Sequence, residues 1–518
     1  MKKILTWAVG TVCSLMITAQ ITPEQLKQYI TTSQAFKNSG LKNKESVALF
    51  YNTLNYKTAW IQKENKENLA RLLAALLQAK AVGLEEQEYE TEIIRACRTN
   101  TVTLANAGDS LDAELRITEA ALHFYNDFIY GNTKPALSYY GLKYAPGCNN
   151  LPALLAGYVS SKSIHHLLNH LPHTLKEVAA LEAKAGFFVS ILKANGFKEV
   201  SITSSKITAS NKALLIKLHQ LGIVDSASKN LTDSLLKQKI KEAQLQFGLP
   251  ADGVLRSATV KQLNIPVQAR LQQVSLALNY YRWLQCLTQQ QDVIVVNIPA
   301  AYLKVYSGNT VLLEMRMIVG KKSTPTPTLS GTVNEVVLYP YWHVPHSIAV
   351  KELAPMFKRN PALVDAGNYQ LLNYAGKIVD PYSINWSSFS NGYFPYIIRQ
   401  STGCDNALGL LKLNFYNPFT VYLHDTPGKN LFKYNSRFFS HGCMRMQKPM
   451  ELGHMVLNNN QIAIDTLEEK GCVRNEAPVI VPAAVHMPVI VWYNPAGIDS
   501  TGRVLFFDDV YEKFKWMK

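Results

Sequence analysis

The chain changes its hydrophobic rhythm once, near residue 290. Before that point apolar residues recur at helical spacing. Leu69, Leu72, Leu73, Leu76 and Leu77 form one such stripe, and Gly83 follows as a stop. Leu115, Leu122, Tyr125 and Ile129 predict another helix, ended near Gly131. Stripes of this kind are core faces, so residues 20–205 read as a helical domain with Trp60 buried in it. Residues 208–265 predict a small three-helix module. Thr232 or Asp233 can cap a helix carrying Leu236, Ile240 and Phe247. Gly248 ends it, and Leu249-Pro-Ala-Asp-Gly253 turns the chain toward a second helix reaching Leu263. Leu271, Val274, Leu278 and Trp283 predict a connecting helix over 266–290.

Beyond 290 the period shortens to that of strands. Asp292 to Ile298 is an apolar, β-branched run, and Tyr302–Tyr306 and Val311–Val319 flank a Ser307-Gly-Asn309 turn as a hairpin. Val333–Leu338 continues the sheet. Residues 346–398 break the rhythm with mixed polar and aromatic positions. Strand character returns at Phe419–Leu423 and delivers His424. A loop holding Pro427 and Gly428 leads to Ser440, and Pro449 starts a helix through Leu457. Residues 471–486 read as a connector, Val489–Tyr493 as a last strand, Asp499–Gly502 as a turn into Val504–Phe507, and 509–518 as a tail. The class expected is a multidomain α and β protein: helical N-terminal domain, three-helix module, and a mainly-β domain over 291–508 with an insertion at 346–398.

Length and composition agree. The 518 residues allow two to four domains, and 47% apolar with 18% charged residues fits a globular chain. The net charge of +15 suits an anionic polymer. The basic residues are scattered and no nucleic-acid motif accompanies them, so no nucleic-acid partner is expected. Residues 1–19 read as an export signal: Lys2 and Lys3, then Ile4 to Ile17, too short for a usual membrane span, then Ala19 as a cleavage point. The body is expected to be soluble, in the periplasm or cell envelope. Cys97, Cys148, Cys286, Cys404, Cys443 and Cys472 then remain. An even count in an exported chain invites bridges. Cys443 must stay free for the chemistry below, which leaves an odd five, and no disulfide is predicted. A resting Cys404–Cys443 bridge stays an open alternative.

The chemistry concentrates in His424-Asp425-Thr426 and Ser440-His441-Gly442-Cys443-Met444-Arg445. A thiol with an ordinary pKa of about 8.5 is mostly protonated at neutral pH, and a nearby His or Arg favours the nucleophilic thiolate. Gly442 allows a sharp bend that can aim backbone N–H groups at an oxyanion. Arg445 offers a planar fork for a carboxylate. His441 stands two residues before Cys443, so in extended backbone both side chains leave one face. Spacing alone does not say which imidazole is the base. No C-x-x-C or H-x-x-x-H spacing lies nearby, and neither metal nor other cofactor is expected.

Val421-Tyr422-Leu423-His424-Asp425-Thr426-Pro427, followed by Ser440-His441-Gly442-Cys443, resembles the signature of L,D-transpeptidases of the peptidoglycan layer. The closer likeness is to their large subfamily with an N-terminal scaffold domain. Arg399-Gln400 with Gly403 and Asn406-Ala-Leu-Gly409, Pro340–Ile348, Tyr281–Leu284, Val295–Pro299 and Phe50-Tyr51 to Ala59-Trp60 resemble further segments of it. The resemblance implies a scaffold over 20–205, a peptidoglycan-binding module over 208–265 and a lid over 346–398. It implies that Cys443 attacks the third residue of a tetrapeptide stem, expels terminal D-Ala, and passes the acyl group to a neighbouring stem as a 3–3 cross-link. It gives proton transfer to His424 and a supporting role to His441, with Asp425 or Thr426 fixing the imidazole. The N–H groups of Gly442 and Cys443 become oxyanion donors. Arg445, Ser440, Asp425, Tyr422 and Asn406 fall on the substrate side, and a carbapenem is expected to acylate Cys443. Hydrolysis of the same thioester, or wall binding without catalysis, stay open. Met446 and Cys404 depart from the usual pattern.

Overall fold

The computed structural model describes residues 16–17 and 20–517, except 171–174, 204–206, 209–210, 226–231, 390–393, 459–463, 465–466, 468–473 and 475. The expected export segment lies outside the described residues but for Met16–Ile17. Among described residues no helix is long and apolar enough to cross a membrane.

The N-terminal region is helical, as its apolar spacing requires. Ala107–Tyr130 is the long helix of this region, ended by Gly131 at φ 79°. Its Glu114 is wholly buried, yet the carboxylate accepts the N–H groups of Trp60 and Ile61 at 3.3 and 3.0 Å and that of Ala59. Those donors offset the cost of burying the charge. Trp60 is fully buried, donates its indole N–H to Thr118 at 2.8 Å and stacks on Phe50. The module contains Lys212–Gln220, Asp233–Gln246 and Ser257–Leu263. Thr232 caps the second of these, accepting from Leu235 N.

Helix Val267–Gln290 is more than a connector. It is buried on nearly every side and carries polar side chains that reach into each neighbouring region. Gln273 donates to the carbonyls of Pro495 and Phe507 at 2.8 and 3.1 Å. Asn279 donates to Gly83 O at 3.0 Å, Arg282 pairs with Glu182 at 2.9 Å, and Arg270 donates to Gln262 O at 2.6 Å. Opposite Gln285 stands the Ile129 carbonyl. The helix thus ties scaffold, module and sheet together.

It also carries a disulfide, Cys148–Cys286, with Cα atoms 5.4 Å apart. This overturns the expectation of no bridges. The odd residue out is Cys97, which is buried and takes no part in a disulfide. Cys404 is disulfide-bonded as well, and not to Cys443, which is free; the Cys404–Cys443 alternative is excluded.

The mainly-β region is built around one large sheet that closes on itself. Its order runs Leu411–Phe415, Leu423–His424, Met444–Met446, Thr310–Gly320, Tyr302–Ser307, Val293–Asn297, Pro488–Trp492, Leu329–Leu338, Val479–Pro482. The 329–338 strand also pairs with 411–415, which joins the two ends. The enclosed core includes Leu303, Met317, Leu413, Leu423, Met444 and Val491.

Two expectations change here, and the insertion gains detail. Val479–Pro482, read as part of a connector, is an antiparallel strand on 329–338. The strand expected over Phe419–Leu423 shrinks to Leu423–His424, because Thr420 takes a left-handed φ of 53° and Asn417 organises a turn by donating to Val421 O at 2.8 Å. The insertion is a packed body with its own core, including Phe357, Leu371, Trp386 and Ile398. Its four-stranded sheet runs Ile378–Val379, Tyr369–Leu372, Ile397–Gln400, Trp342–His343.

Candidate active site

Strand alternation builds the site. Leu411, Leu413, Leu423, Met444 and Met446 all point into the sheet core. The residues between them must leave by the other face. These are Lys412, His424 and Arg445, which the register sets side by side: Lys412 opposite His424, and His424 opposite Arg445. The parallel pairing of 423–424 with 444–446 also brings Tyr422 beside Cys443, where Met444 N donates to Tyr422 O at 3.1 Å. The rings of Tyr422 and His424 meet edge to face at 5.6 Å.

Cys443 sits at a chain reversal. Phe438–Ser440 runs parallel to 310–320 and Met444–Met446 antiparallel to it, so the chain turns back over 441–443. Gly442 supplies a φ of 119°, which a side chain would disfavour. Neighbouring hydroxyls brace the turn. Ser440 Oγ donates to Cys443 O at 2.6 Å and accepts Gly442 N–H at 3.2 Å. Thr326 Oγ1 donates to Gly442 O at 2.8 Å, and Thr324 Oγ1 to Ser440 O at 3.1 Å. Thr326 is held in turn by Gly320 N at 2.8 Å, and Tyr511 from the C-terminal segment accepts Thr326 N–H at 3.2 Å and donates to Gly320 O.

This reversal corrects the expectation that His441 and Cys443 share a face, which assumed extended backbone. His441 leaves toward the insertion instead, its Nε2 2.8 Å from Glu352 Oε1, and its side chain is 33% exposed.

The Cys443 thiol is half-buried. Burial pushes its pKa up, while Tyr422, through hydroxyl and backbone, and the charges of Lys412 and Arg445 pull it back. His424 is buried, and its pKa is pushed down to about 3 by that burial and by the Arg445 and Lys412 charges, against the opposing carbonyls of Asp425 and Leu408. Its Nδ1 lies 2.5 Å from Asp425 O. A carbonyl only accepts, so Nδ1 carries the proton there. The imidazole is therefore neutral across the working range. Alkylation of Cys443 by iodoacetamide, followed by intact mass, is expected to rise from pH 7 through 9 with no inflection near pH 6.5. A plateau at low pH would reveal a thiolate–imidazolium pair instead.

Four residues expected on the substrate or oxyanion side have other work. Asn406 is fully buried; its amide donates to Pro340 O and Ser401 O at 3.1 and 2.8 Å and accepts Leu408 N–H at 2.7 Å. Asn406→Ala strands those backbone groups and is expected to cost about 2–3 kcal/mol in denaturant unfolding. Ser440 is spent on the turn. Asp425 is buried, accepts Leu410 N–H at 3.0 Å and pairs with Lys429. The Gly442 N–H is committed to Ser440, so it is not an open oxyanion donor. Arg445, by contrast, has a buried Nε with no hydrogen-bond partner among the described residues.

Sequence reasoning missed Lys412, Glu352 and Thr326. Lys412 was findable: the alternation Leu411-Lys-Leu-Asn-Phe415 exposes it on the face opposite the core. Nothing local marks the other two. A cavity of about 640 Å³ lies elsewhere, between the module's 245–250 turn and the sheet, and none of these residues lines it.

Residues 291–481 match the family model of the L,D-transpeptidase catalytic domain, and residues 45–184 match that of a scaffold domain. A Haemophilus influenzae protein, itself only provisionally named an L,D-transpeptidase, is 34% identical over 236 residues. That match covers 46% of this chain and 47% of the relative, so the likeness spans about half of each. Among solved structures, the Ldtfm–avibactam carbamoyl enzyme is 15% identical, over 39% of this chain and 48% of that one, with a TM-score of 0.17. An L,D-transpeptidase from Mycobacterium smegmatis is 15% identical, over 39% and 58%, with a TM-score of 0.16. One from Stackebrandtia nassauensis is 12% identical, over 57% and 98%, with a TM-score of 0.22.

Proposed function

We propose that this chain, which carries an L,D-transpeptidase catalytic domain behind a scaffold domain, joins peptidoglycan stem peptides through a thioester on Cys443. The observation that carries this is a free, half-buried thiol on a braced reversal, leading into the strand that pairs with that of the buried, neutral His424, in a chain whose Cys148, Cys286 and Cys404 are oxidised. Cys97 is also outside the bridges but sealed in the core, whereas Cys443 is partly exposed with the charges of Lys412 and Arg445 acting on it, the setting of a reactive thiol. The bridges themselves suit an oxidising compartment, in keeping with export to the periplasm.

In this mechanism Cys443 Sγ attacks the carbonyl of the third stem residue, and the thiol proton passes by way of His424 to the departing D-Ala amine. With Gly442 N–H already donated, the Cys443 N–H and the Tyr422 hydroxyl serve the oxyanion. Arg445 holds a stem carboxylate with the guanidinium that has no protein partner at Nε. An acceptor amine then opens the thioester, giving the 3–3 link and restoring the thiol. His441, tied to Glu352, joins the catalytic rim to the insertion.

Purified protein incubated with disaccharide-tetrapeptide is expected to yield a cross-linked dimer lacking one D-Ala, identified by mass spectrometry. Tripeptide alone would make it a hydrolase. No conversion, together with no carbapenem adduct on Cys443, would leave a wall-binding protein.

A further inference from the structure

The sulfur's surroundings raise a question the imidazole does not answer. His424 is neutral and so supplies no counter-charge at rest. A cation does act on the sulfur from across the His424 strand: Lys412, on the far side of that strand in the sheet order. Its Nζ lies 4.1 Å from the centroid of the Tyr422 ring, and Tyr422 offers its hydroxyl to Cys443. Among the described residues Lys412 forms no ion pair, although a carboxylate, Glu335, stands on the neighbouring strand, where it accepts from Asn414 at 2.6 Å.

We propose that Lys412 is a positioning residue for the nucleophile: its charge stabilises the Cys443 thiolate, and its contact with the Tyr422 ring holds the Tyr422 hydroxyl against the sulfur. This rests on Cys443 being the nucleophile, and it adds a cation that spacing in the motif does not contain.

The other groups facing this site do not replace Lys412. Arg445 is on the strand of Cys443 itself and is the carboxylate holder. His343, at the root of the insertion, has its pKa lowered by burial and by Arg399 and Lys412. His441 and Lys321 lie at the rim, with His441 bound to Glu352. A cation lying over an aromatic face also gains from the ring quadrupole, which fixes the ring it covers. The same charge disfavours protonation of His424, so one residue eases loss of the thiol proton and keeps the imidazole able to accept it.

The test reads the thiol and needs no substrate, so it stands apart from whether turnover makes 3–3 links. Iodoacetamide rates at Cys443 would be measured from pH 6 to 10 on full-length wild type, Lys412→Met, Lys412→Gln and Lys412→Arg. The neutral variants are expected to react about tenfold more slowly at pH 7.5, with the profile displaced upward by about one pH unit. Lys412→Arg is expected to restore most of the rate, which a role in packing alone would not require. The Gln variant keeps a polar end, so the comparison survives if the Met variant fails to fold. Wild-type profiles in both neutral variants would overturn the proposal, and so would an equal loss in Arg.

Discussion

Cys443→Ala is expected to reduce cross-link formation by on the order of 10⁴-fold or more while the protein stays folded. The size follows from what the substitution removes. Without sulfur no thioester forms, and water or the acceptor amine must attack the stem directly. Folding should be spared because the reversal at 441–443 is held by other atoms: Ser440 Oγ, Thr326 Oγ1 and Thr324 Oγ1, all bonded to backbone oxygens. The sulfur itself contributes only a half-buried contact to the sheet core. Dimer yield from disaccharide-tetrapeptide and a thermal melt of the same sample check both halves. A variant that melts with wild type and still makes dimer at the wild-type rate would remove Cys443 from the mechanism.

The second large effect concerns stability. Replacing Cys148 and Cys286 together by Ser is expected to cost about 4–5 kcal/mol. The bridge closes a loop of 138 residues in sequence separation, and chain-entropy reasoning gives about 5 kcal/mol for a loop of that order. The site makes the loss consequential, since Cys286 lies on the buried helix 267–290, which touches scaffold, module and sheet alike. Denaturant midpoints under non-reducing conditions would measure it. The double variant is preferable to added reductant, which would also open the bond at Cys404. A midpoint within about 1 kcal/mol of wild type would mean that the unfolded chain is already restrained by other means.

What could be read in the sequence follows the range of the forces involved. The helix at Ala107–Tyr130 was visible because its stripe and its closing Gly131 are local facts. So was the cap at Thr232. The reacting cluster was visible because Cys443, Arg445 and His424 stand close together in a distinctive order. What escaped depends on contacts between distant segments. Val479–Pro482 becomes a strand only because the 329–338 edge is there to receive it. The insertion hides its strands because Phe357, Trp386 and Phe394 gather into a core that no short window shows. Asn406 looked like a substrate contact and is a loop clamp, since the carbonyls it binds belong to backbone folded back around it. His441 was aimed wrongly because one residue, Gly442, takes a conformation that strand reasoning does not contemplate.

The brace through Tyr511 gives the last residues of the chain an influence far from where they lie in sequence. The phenol holds Gly320 and Thr326, and Thr326 holds the glycine next to the nucleophile. Fusing a bulky partner at the carboxyl end, or trimming it back by proteolysis past residue 510, should slacken the reactive bend and slow acylation even with every motif residue intact. An affinity handle for this protein therefore belongs away from the Tyr511 segment.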